Sequence, residues 1–373
     1  MSVFHPGVRL AGAGPDYRDA VIAVNGHLLI GDVELERRGA DFRLHGHHRN
    51  PAYSGVVLQV VASAPRRQEL AGGRVAASAC WPEGGDSGAA DGAACRWSAC
   101  GLSSHRLPAL LEQAGDERFH LRARRFAEEM MREPPAEVLY QRLMAALGYS
   151  LNSEPFRALA HAVPLGALEE LARAAGEDQA AQALERMLLA SSGLGAPGAG
   201  FGWRCTGLRP ANQPARRIAA AARLVARHAA IGLMEGLRGA VEADRPHRAL
   251  HDALVVRLGA GTLLGSGRAR EMAVNVVLPF FHAWGRTRAP ALAARAVEVY
   301  QRSPSLPPNE VTRRIERQLR VRARGAREQQ GLLHLDQAIC LGRRCESCPG
   351  APQASFKLGW TSRSGPAVRP ARR

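Results

Sequence analysis

Three cysteines near the C-terminus have the types and spacing of metal ligands. Cys340, Cys345 and Cys348 form C-x4-C-x2-C, which brings soft thiolates close enough to share one ion. A tetrahedral site needs a fourth ligand, for which Cys205 and His334 are candidates. The spacing predicts zinc, ahead of an iron–sulfur cluster, and the alternative is a reduced cysteine-rich tail.

Arginines recur at helical spacing in the last third of the chain. At i, i+4 and i+7 intervals they would lie on one side of a helix and could contact successive phosphates. A solvated helix face is the alternative. The row comprises Arg313, Arg317, Arg320, Arg324 and Arg327.

A second basic group surrounds a predicted helix start in the motif RPANQPARR. Arg209 precedes the start, and Arg216 and Arg217 lie inside the helix. Backbone donors and the helix dipole favour an anion at such a position, so these residues are candidate phosphate contacts. Asn212 is either part of this site or a cap of the turn.

Acidic and apolar residues alternate near the N-terminus. Asp32, Glu34 and Glu36 are separated by Val33 and Leu35. In a β-strand this alternation places the acids on one face and the apolar residues on the other. The alternation therefore predicts an acidic strand face, which is either a functional surface or simply solvated.

A histidine-rich segment follows this strand. His45, His47 and His48 could supply a metal ligand or a general acid beside the acids. The alternative is a surface loop of neutral imidazoles. Tyr53, at the end of the segment, is expected to pack against the sheet.

Composition bounds the class of protein and its partners. The net charge is +16 over 373 residues, which points to DNA or RNA as a partner. Lys357 is the only lysine, however, and a general preference for arginine in the chain would also produce a positive net charge. A hydrophobic fraction of 46% supports two packed units. The longest apolar runs are too short to cross a membrane, and the N-terminus MSVFHPG lacks the features of a signal peptide. We therefore expect a cytoplasmic protein with no membrane partner.

The elements that must position these residues begin with strands. Residues 20–24 and 27–30 are apolar runs joined by Asn25 and Gly26, a pair typical of a tight hairpin turn. Residues 32–36 form the acidic strand, and residues 56–61 predict a strand buried on both faces. Residues 66–104 predict a long, poorly ordered insert.

Apolar periodicity beyond this insert is helical. The fold class expected is α+β, with a small mixed β-sheet domain over residues 1–110, a mostly α-helical domain over 111–339, and a basic, cysteine-containing tail over 340–373. The predicted helices cover residues 119–132, 135–147, 165–175, 179–191, 214–238, 268–284, 290–302 and 309–330.

Several motifs, read in order, resemble the bacterial domain-of-unknown-function family 2851. They include GPDYRDAVI at 14–22, GDVEL at 31–35, PAYSGVVLQVV at 51–61, MAVNVVLPF at 272–280 and REQQGLLHL at 327–335. Outside residues 66–104 the resemblance spans nearly the whole chain. This chain departs from the family pattern at four polar or aromatic positions. Glu36 and Gln59 stand in place of histidines, Phe42 in place of tryptophan, and Asn50 in place of aspartate.

The order of Asp16, a hairpin and then Glu34-x-Glu36 is also similar to the core of the PD-(D/E)XK nuclease superfamily. This resemblance implies a restriction-endonuclease-like sheet in which Asp16 and Glu34 bind Mg²⁺ or Mn²⁺, an ion that activates water for attack on a phosphodiester. Glu36 stands where the superfamily has a lysine. We therefore expect a metal-dependent nuclease with Glu36, His45 and His47 as its catalytic residues. The alternative is a non-catalytic nucleic-acid-binding or scaffold protein.

Overall fold

The computed structural model describes residues 2–5, 8–9, 14–24, 27–70, 73–80, 106–175, 177–194, 201–319 and 321–341. A mixed β-sheet near the N-terminus is followed by a largely helical region, so the α+β prediction is confirmed. None of the helices in these ranges combines the length and apolar character that a membrane crossing requires.

Within the described ranges, the N-terminal sheet has seven strands in the order β1-β3-β4-β5-β7-β6, with β2 paired to β3. Strands β1 to β4 pair in antiparallel fashion, whereas β4, β5 and β7 are parallel neighbours. The bounds are β1 Ser2–His5, β2 Val8–Arg9, β3 Tyr17–Val24, β4 His27–Arg38, β5 Val56–Ser63, β6 Gln68–Glu69 and β7 Val75–Cys80. The predicted strands are therefore present, and the turn residues Asn25 and Gly26 lie outside the described ranges.

The crossover from β4 to β5 is short and irregular. Helix α1 covers Asp41–Leu44, and two 3-10 turns follow at His47–Arg49 and Pro51–Tyr53. Gly46 connects α1 to the first turn with φ of 76°, a conformation that favours glycine. This crossover carries the predicted histidines.

Apolar side chains cover both faces of β5. One cluster contains Ile22, Val33 and Leu58, and another contains Phe42 and Val56. The prediction of a strand buried on both faces is therefore confirmed.

The prediction of an insert starting at residue 66 is wrong in its first part. Strand β6 pairs with β7, and β7 extends the sheet beside β5, with Ala77 opposite Leu58. The segment is rich in alanine and serine, so it lacks the alternation of large apolar residues that reveals a strand. Its remainder, residues 81–104, lies outside the described ranges.

The chain, including the sheet and the helical region, divides into two compact units. Unit 1 comprises Met1–Ala93 and Leu121–Ser303, and unit 2 comprises Ala94–His120 and Pro304–Arg373. Helix α2, Arg106–Glu129, contains the division between them. The core of unit 2 joins remote segments, because Leu111 packs with Ile315 and Leu332.

Among the residues that the structure describes, ten helices of unit 1 and two of unit 2 follow α2. Four of them begin at a proline, Pro135, Pro214, Pro246 or Pro290, whose fixed φ suits the first helical position. A small hairpin, β8 Val256–Leu258 and β9 Gly261–Leu264, lies between α9 and α10. The bounds are α3 Pro135–Leu147, α4 Ser153–Ala162, α5 Leu165–Ala175, α6 Glu177–Ser192, α7 Pro214–Arg227, α8 Leu233–Glu242, α9 Pro246–Leu254, α10 Ser266–Met272, α11 Leu278–Arg288, α12 Pro290–Gln301, α13 Glu310–Leu319 and α14 Ala326–Leu335.

Two segments that the sequence predicts as single helices are each divided into two helices in the structure. The prediction over residues 214–238 is wrong because the chain breaks between α7 and α8, where Gly232 has φ of 87°. The prediction over residues 309–330 is wrong because α13 and α14 are separate. Between them the Val321 N–H donates to the Glu316 carbonyl oxygen (3.0 Å), and the Arg324 N–H donates to Glu328 Oε2 (2.8 Å). These bonds satisfy backbone groups that a continuous helix would pair differently.

Candidate functional site

Asp16 and Glu34 are held together where β3 and β4 pair. Asp16 directly precedes β3, and the first residue of that strand, Tyr17, lies opposite Val33. The Asp16 N–H donates to Glu34 Oε2 (3.0 Å), and the Leu35 N–H donates to Asp16 Oδ2 (2.9 Å). The two acids that the nuclease resemblance implies as metal ligands are therefore neighbours.

The surroundings of Glu34 disfavour its negative charge. Glu34 is 6% exposed, and burial raises the pKa of its carboxyl to about 8. The carboxylate of Asp16 adds to this rise, while the Asp16 N–H opposes it. A cation bound between the two acids would relieve both the burial cost and the repulsion.

Glu36 lies two residues further along β4 and contacts both predicted histidines. Its Oε1 is 3.2 Å from His45 Nδ1 and 3.3 Å from His47 Nδ1. Its Oε2 accepts a 2.6 Å hydrogen bond from Gln59 Nε2. Burial raises the pKa of Glu36, and the hydrogen bonds from Gln59 and His45 oppose that rise.

His47 is fixed by aromatic neighbours. Its ring stacks on Tyr53 at a centroid distance of 4.0 Å and meets the edge of Phe42 at 5.4 Å. Burial lowers the pKa of His47, and the charge of His45 lowers it further. This lowering of the pKa favours the neutral imidazole, the form that accepts a proton or binds a metal. Its Nδ1 is also 3.4 Å from Glu34 Oε1.

Three of the predicted residues form a group with metal-ligand spacing. One ligand atom from each of Glu36, His45 and His47 lies within 4.8 Å of the other two. His48 follows in the same 3-10 turn and is not part of this group. The Asp32 carboxylate is used elsewhere, since its Oδ1 accepts from the Asp19 N–H at 3.3 Å.

A buried polar network behind Glu36 was not predicted from the sequence. Gln59 Oε1 accepts hydrogen bonds from Gln68 Nε2 (2.9 Å) and Ser78 Oγ (3.3 Å), and Gln68 Nε2 also donates to the Gly39 carbonyl oxygen (2.6 Å). Gln59 is fully buried. The signal was available, because a glutamine inside a strand buried on both faces must find polar partners.

The predicted phosphate contacts around α7 differ in exposure. Arg209 and Arg216 are exposed. Arg217 is buried, and its guanidinium donates to the Leu263 carbonyl oxygen (2.8 Å), to Tyr149 Oη (3.1 Å) and to Asn212 Oδ1 (2.8 Å). Arg217 therefore joins α7 to the β8–β9 hairpin and faces away from solvent.

The predicted arginine row in unit 2 does not lie on one helix. Arg313 and Arg317 are exposed on α13, whereas Arg320 lies outside the described ranges. Arg324 lies between the helices and pairs with Glu328. Arg327 pairs with Glu112 at 2.7 Å and with Asp116 through two hydrogen bonds. The sequence predicted a uniform basic face, but two of its members are neutralised by acids. The corresponding acidic partners are Glu328, Glu112 and Asp116.

The predicted cysteine site falls mostly outside the described ranges. Cys340 ends a π-helical turn, Asp336–Cys340, and packs against the core of unit 2. Cys345 and Cys348 lie outside the described residues. Cys205 is exposed in unit 1, and His334 is buried on α14 in unit 2. The zinc or iron–sulfur site stays a prediction.

Comparison with known proteins supports the family resemblance at the N-terminus. Residues 1–70 match the family model described as Protein of unknown function (DUF2851). No curated protein and no solved structure matches the chain. The matched region contains all five residues of the acid–histidine cluster, which we define as Asp16, Glu34, Glu36, His45 and His47.

Proposed function

We propose that this protein is a metal-dependent phosphodiesterase that acts on nucleic acid, with Asp16 and Glu34 as the ligands of Mg²⁺ or Mn²⁺. One observation carries the proposal. Asp16, directly before β3, and Glu34 on β4 are joined by the 3.0 Å bond from the Asp16 N–H to Glu34, and burial raises the pKa of Glu34 to about 8. A buried carboxyl with a raised pKa beside a second acid is typical of functional sites.

The donor set fits a divalent ion. Each acid accepts one backbone hydrogen bond through one carboxylate oxygen, Asp16 through Oδ2 and Glu34 through Oε2. These bonds orient the side chains, and oxygen ligands on oriented carboxylates suit Mg²⁺ or Mn²⁺. Such an ion, when bound, would polarise the phosphate and activate water.

The residues beside the acid pair would handle protons. Burial lowers the pKa of His47 and so favours the neutral imidazole, which accepts a proton, and His45 is half exposed and reaches solvent. The hydrogen bond from Gln59 fixes Glu36 opposite both imidazoles. Glu36 cannot take the cationic role of the superfamily's lysine, so proton handling in the proposed reaction falls to the histidines.

Exposed arginines would supply the nucleic-acid contacts. Arg43 and Arg49 lie in the same crossover as the histidines, and both are exposed. Arg209 and Arg216 are exposed near the start of α7, and Arg313 and Arg317 are separately exposed on α13 of unit 2. Charge of this kind binds phosphates without reading sequence. A cytoplasmic location, expected from the sequence, belongs to the same proposal.

Cleavage assays test the proposal. Purified protein with Mg²⁺ or Mn²⁺ is incubated with single-stranded, duplex and structured DNA and RNA, alongside Glu34→Gln and the control Glu170→Gln, an exposed glutamate on α5. We expect cleavage that EDTA stops, that Glu34→Gln abolishes and that the control retains. Absence of cleavage across all substrates and both metals would contradict the proposal.

A second candidate is a nucleic-acid-binding protein without cleavage. The observation that favours it is the acidic Glu36, hydrogen-bonded to Gln59, at the position where the superfamily has lysine. Binding of DNA or RNA that is unaffected by EDTA and by Glu34→Gln, without cleavage, would favour this candidate.

A further inference from the structure

Glu36, His45 and His47 have the geometry of three ligands around one ion. Glu36 Oε1 is 3.2 Å from His45 Nδ1 and 3.3 Å from His47 Nδ1. Ligand bonds of about 2.0–2.1 Å in a tetrahedral site place neighbouring ligand atoms about 3.4 Å apart. Both separations from Glu36 match that spacing, and the ligand atoms of all three residues lie within 4.8 Å of one another.

The orientation of His47 supports a shared centre. His47 Nδ1 is buried, lies within 3.4 Å of carboxylate oxygens of Glu34 and Glu36, and makes no hydrogen bond among the described residues. A buried ring nitrogen without a hydrogen bond is uncommon. A metal ion between these groups would satisfy it.

A network of hydrogen bonds holds the Glu36 carboxylate in place. Gln59 binds Glu36 Oε2, and Gln59 is itself fixed by Gln68 and Ser78. Stacking on Tyr53 fixes the ring of His47 in the same way. Supporting contacts of this kind orient metal ligands and are part of most metal sites.

We propose that Glu36, His45 and His47 form a second metal site, next to the Asp16–Glu34 pair, which binds a transition-metal ion of the Zn²⁺ class. Two imidazoles and one carboxylate suit Zn²⁺ and similar ions better than Mg²⁺, which prefers oxygen ligands. Three protein ligands leave a position open for water or substrate. The site rests on this geometry and does not require that the protein cleaves nucleic acid. It is an alternative to proton handling by the same Nδ1 atoms, because a nitrogen that binds an ion cannot accept a proton.

Calorimetric titration of metal-free, reduced full-length protein with Zn²⁺ tests this site. Because the C-terminal cysteines could bind Zn²⁺ as well, the decisive quantity is the change in stoichiometry between variants. We expect His45→Ala and Glu36→Gln each to lose one bound Zn²⁺ per chain, or to bind it at least about 10-fold more weakly. His45 is half exposed, and glutamine at position 36 can still accept the bond from Gln59, so both variants should fold.

Two controls separate this site from others. His161→Ala replaces an exposed histidine on α4 and should bind Zn²⁺ as the wild type does. Asp16→Asn removes a ligand of the proposed Mg²⁺ or Mn²⁺ site and should keep the Zn²⁺ stoichiometry, whether or not cleavage is lost. Equal Zn²⁺ stoichiometry and affinity in the wild type, His45→Ala and Glu36→Gln would overturn the proposal.

Discussion

Gln59 donates a 2.6 Å hydrogen bond to Glu36 across two neighbouring parallel strands. The resemblance to family 2851 implies histidine at both positions, so two departures from the pattern that it implies form one contacting pair. A buried carboxylate requires a donor, and Gln59 supplies one. In this chain the pair therefore satisfies the Glu36 carboxylate within the sheet.

Replacing Gln59 with leucine should destabilise the N-terminal sheet. The change removes a donor to buried Glu36 and leaves Gln68 and Ser78 without their shared acceptor. Unpaired buried polar groups cost about 1–3 kcal/mol each. Chemical denaturation should show a loss in this range. Gln182→Leu, an exposed change on α6, should show almost none, and equal losses in both variants would speak against the network.

Glu34 should make the stability of the metal-free protein depend on pH. The pKa of Glu34 in the folded state, about 8, exceeds the ordinary value of 4.5. The contribution of Glu34 to the free energy of unfolding is therefore fully present below about pH 4.5 and is lost as pH rises to 8. The slope is at most about 1.4 kcal/mol per pH unit. Glu34→Gln removes this dependence, so its Tm relative to wild type should increase from pH 5 to pH 8 in EDTA. A constant Tm difference across this range would contradict the assignment.

Replacement of Arg217 and of Arg209 with alanine should affect different properties of the protein. Arg217→Ala removes three internal hydrogen bonds and should lower stability by ~2 kcal/mol or more, measured by denaturation. Because Arg209 is exposed, Arg209→Ala should leave the free energy of unfolding unchanged. Under the nucleic-acid proposal, Arg209→Ala weakens binding and lowers its salt dependence by about one phosphate contact. Unchanged affinity would remove Arg209 from the interface.

Replacement of Gly331 with a larger residue should destabilise unit 2. A Cβ at this position of α14 would lie 2.0 Å from the carbonyl oxygen of Leu111 in α2. Because backbone cannot yield as a side chain can, Gly331→Ala should cost about 1–3 kcal/mol or more. Gly239→Ala on α8 meets open space and should raise stability by ~0.5–1 kcal/mol. Similar thermal melts for the two variants would argue against the close helix contact.

The sequence predicted what local patterns control. Alternation identified the acidic strand β4, and continuous apolar character identified β5. Strand β7 was missed because alanine and serine give no alternation, although Ala76 is fully buried. The break before Gly232 was missed because apolar periodicity continues through it.

Nonlocal contacts explain what the sequence could not supply. Asp16 and Glu34 were paired through a family resemblance, and their hydrogen bonds depend on the β3–β4 register. Gln59 reaches Gln68 only because β6 and β7 join the sheet, a pairing that no local pattern reveals. Likewise, unit 2 combines segments that are about 200 residues apart, as the Arg327–Asp116 pair shows.

A crystal grown with Mn²⁺ would test the central claim most directly, because anomalous scattering locates the ion. We predict an anomalous peak within about 2.0–2.6 Å of carboxylate oxygens of both Asp16 and Glu34. That peak should vanish in Glu34→Gln. Crystals that contain Mn²⁺ but show no peak between these two carboxylates would contradict the account.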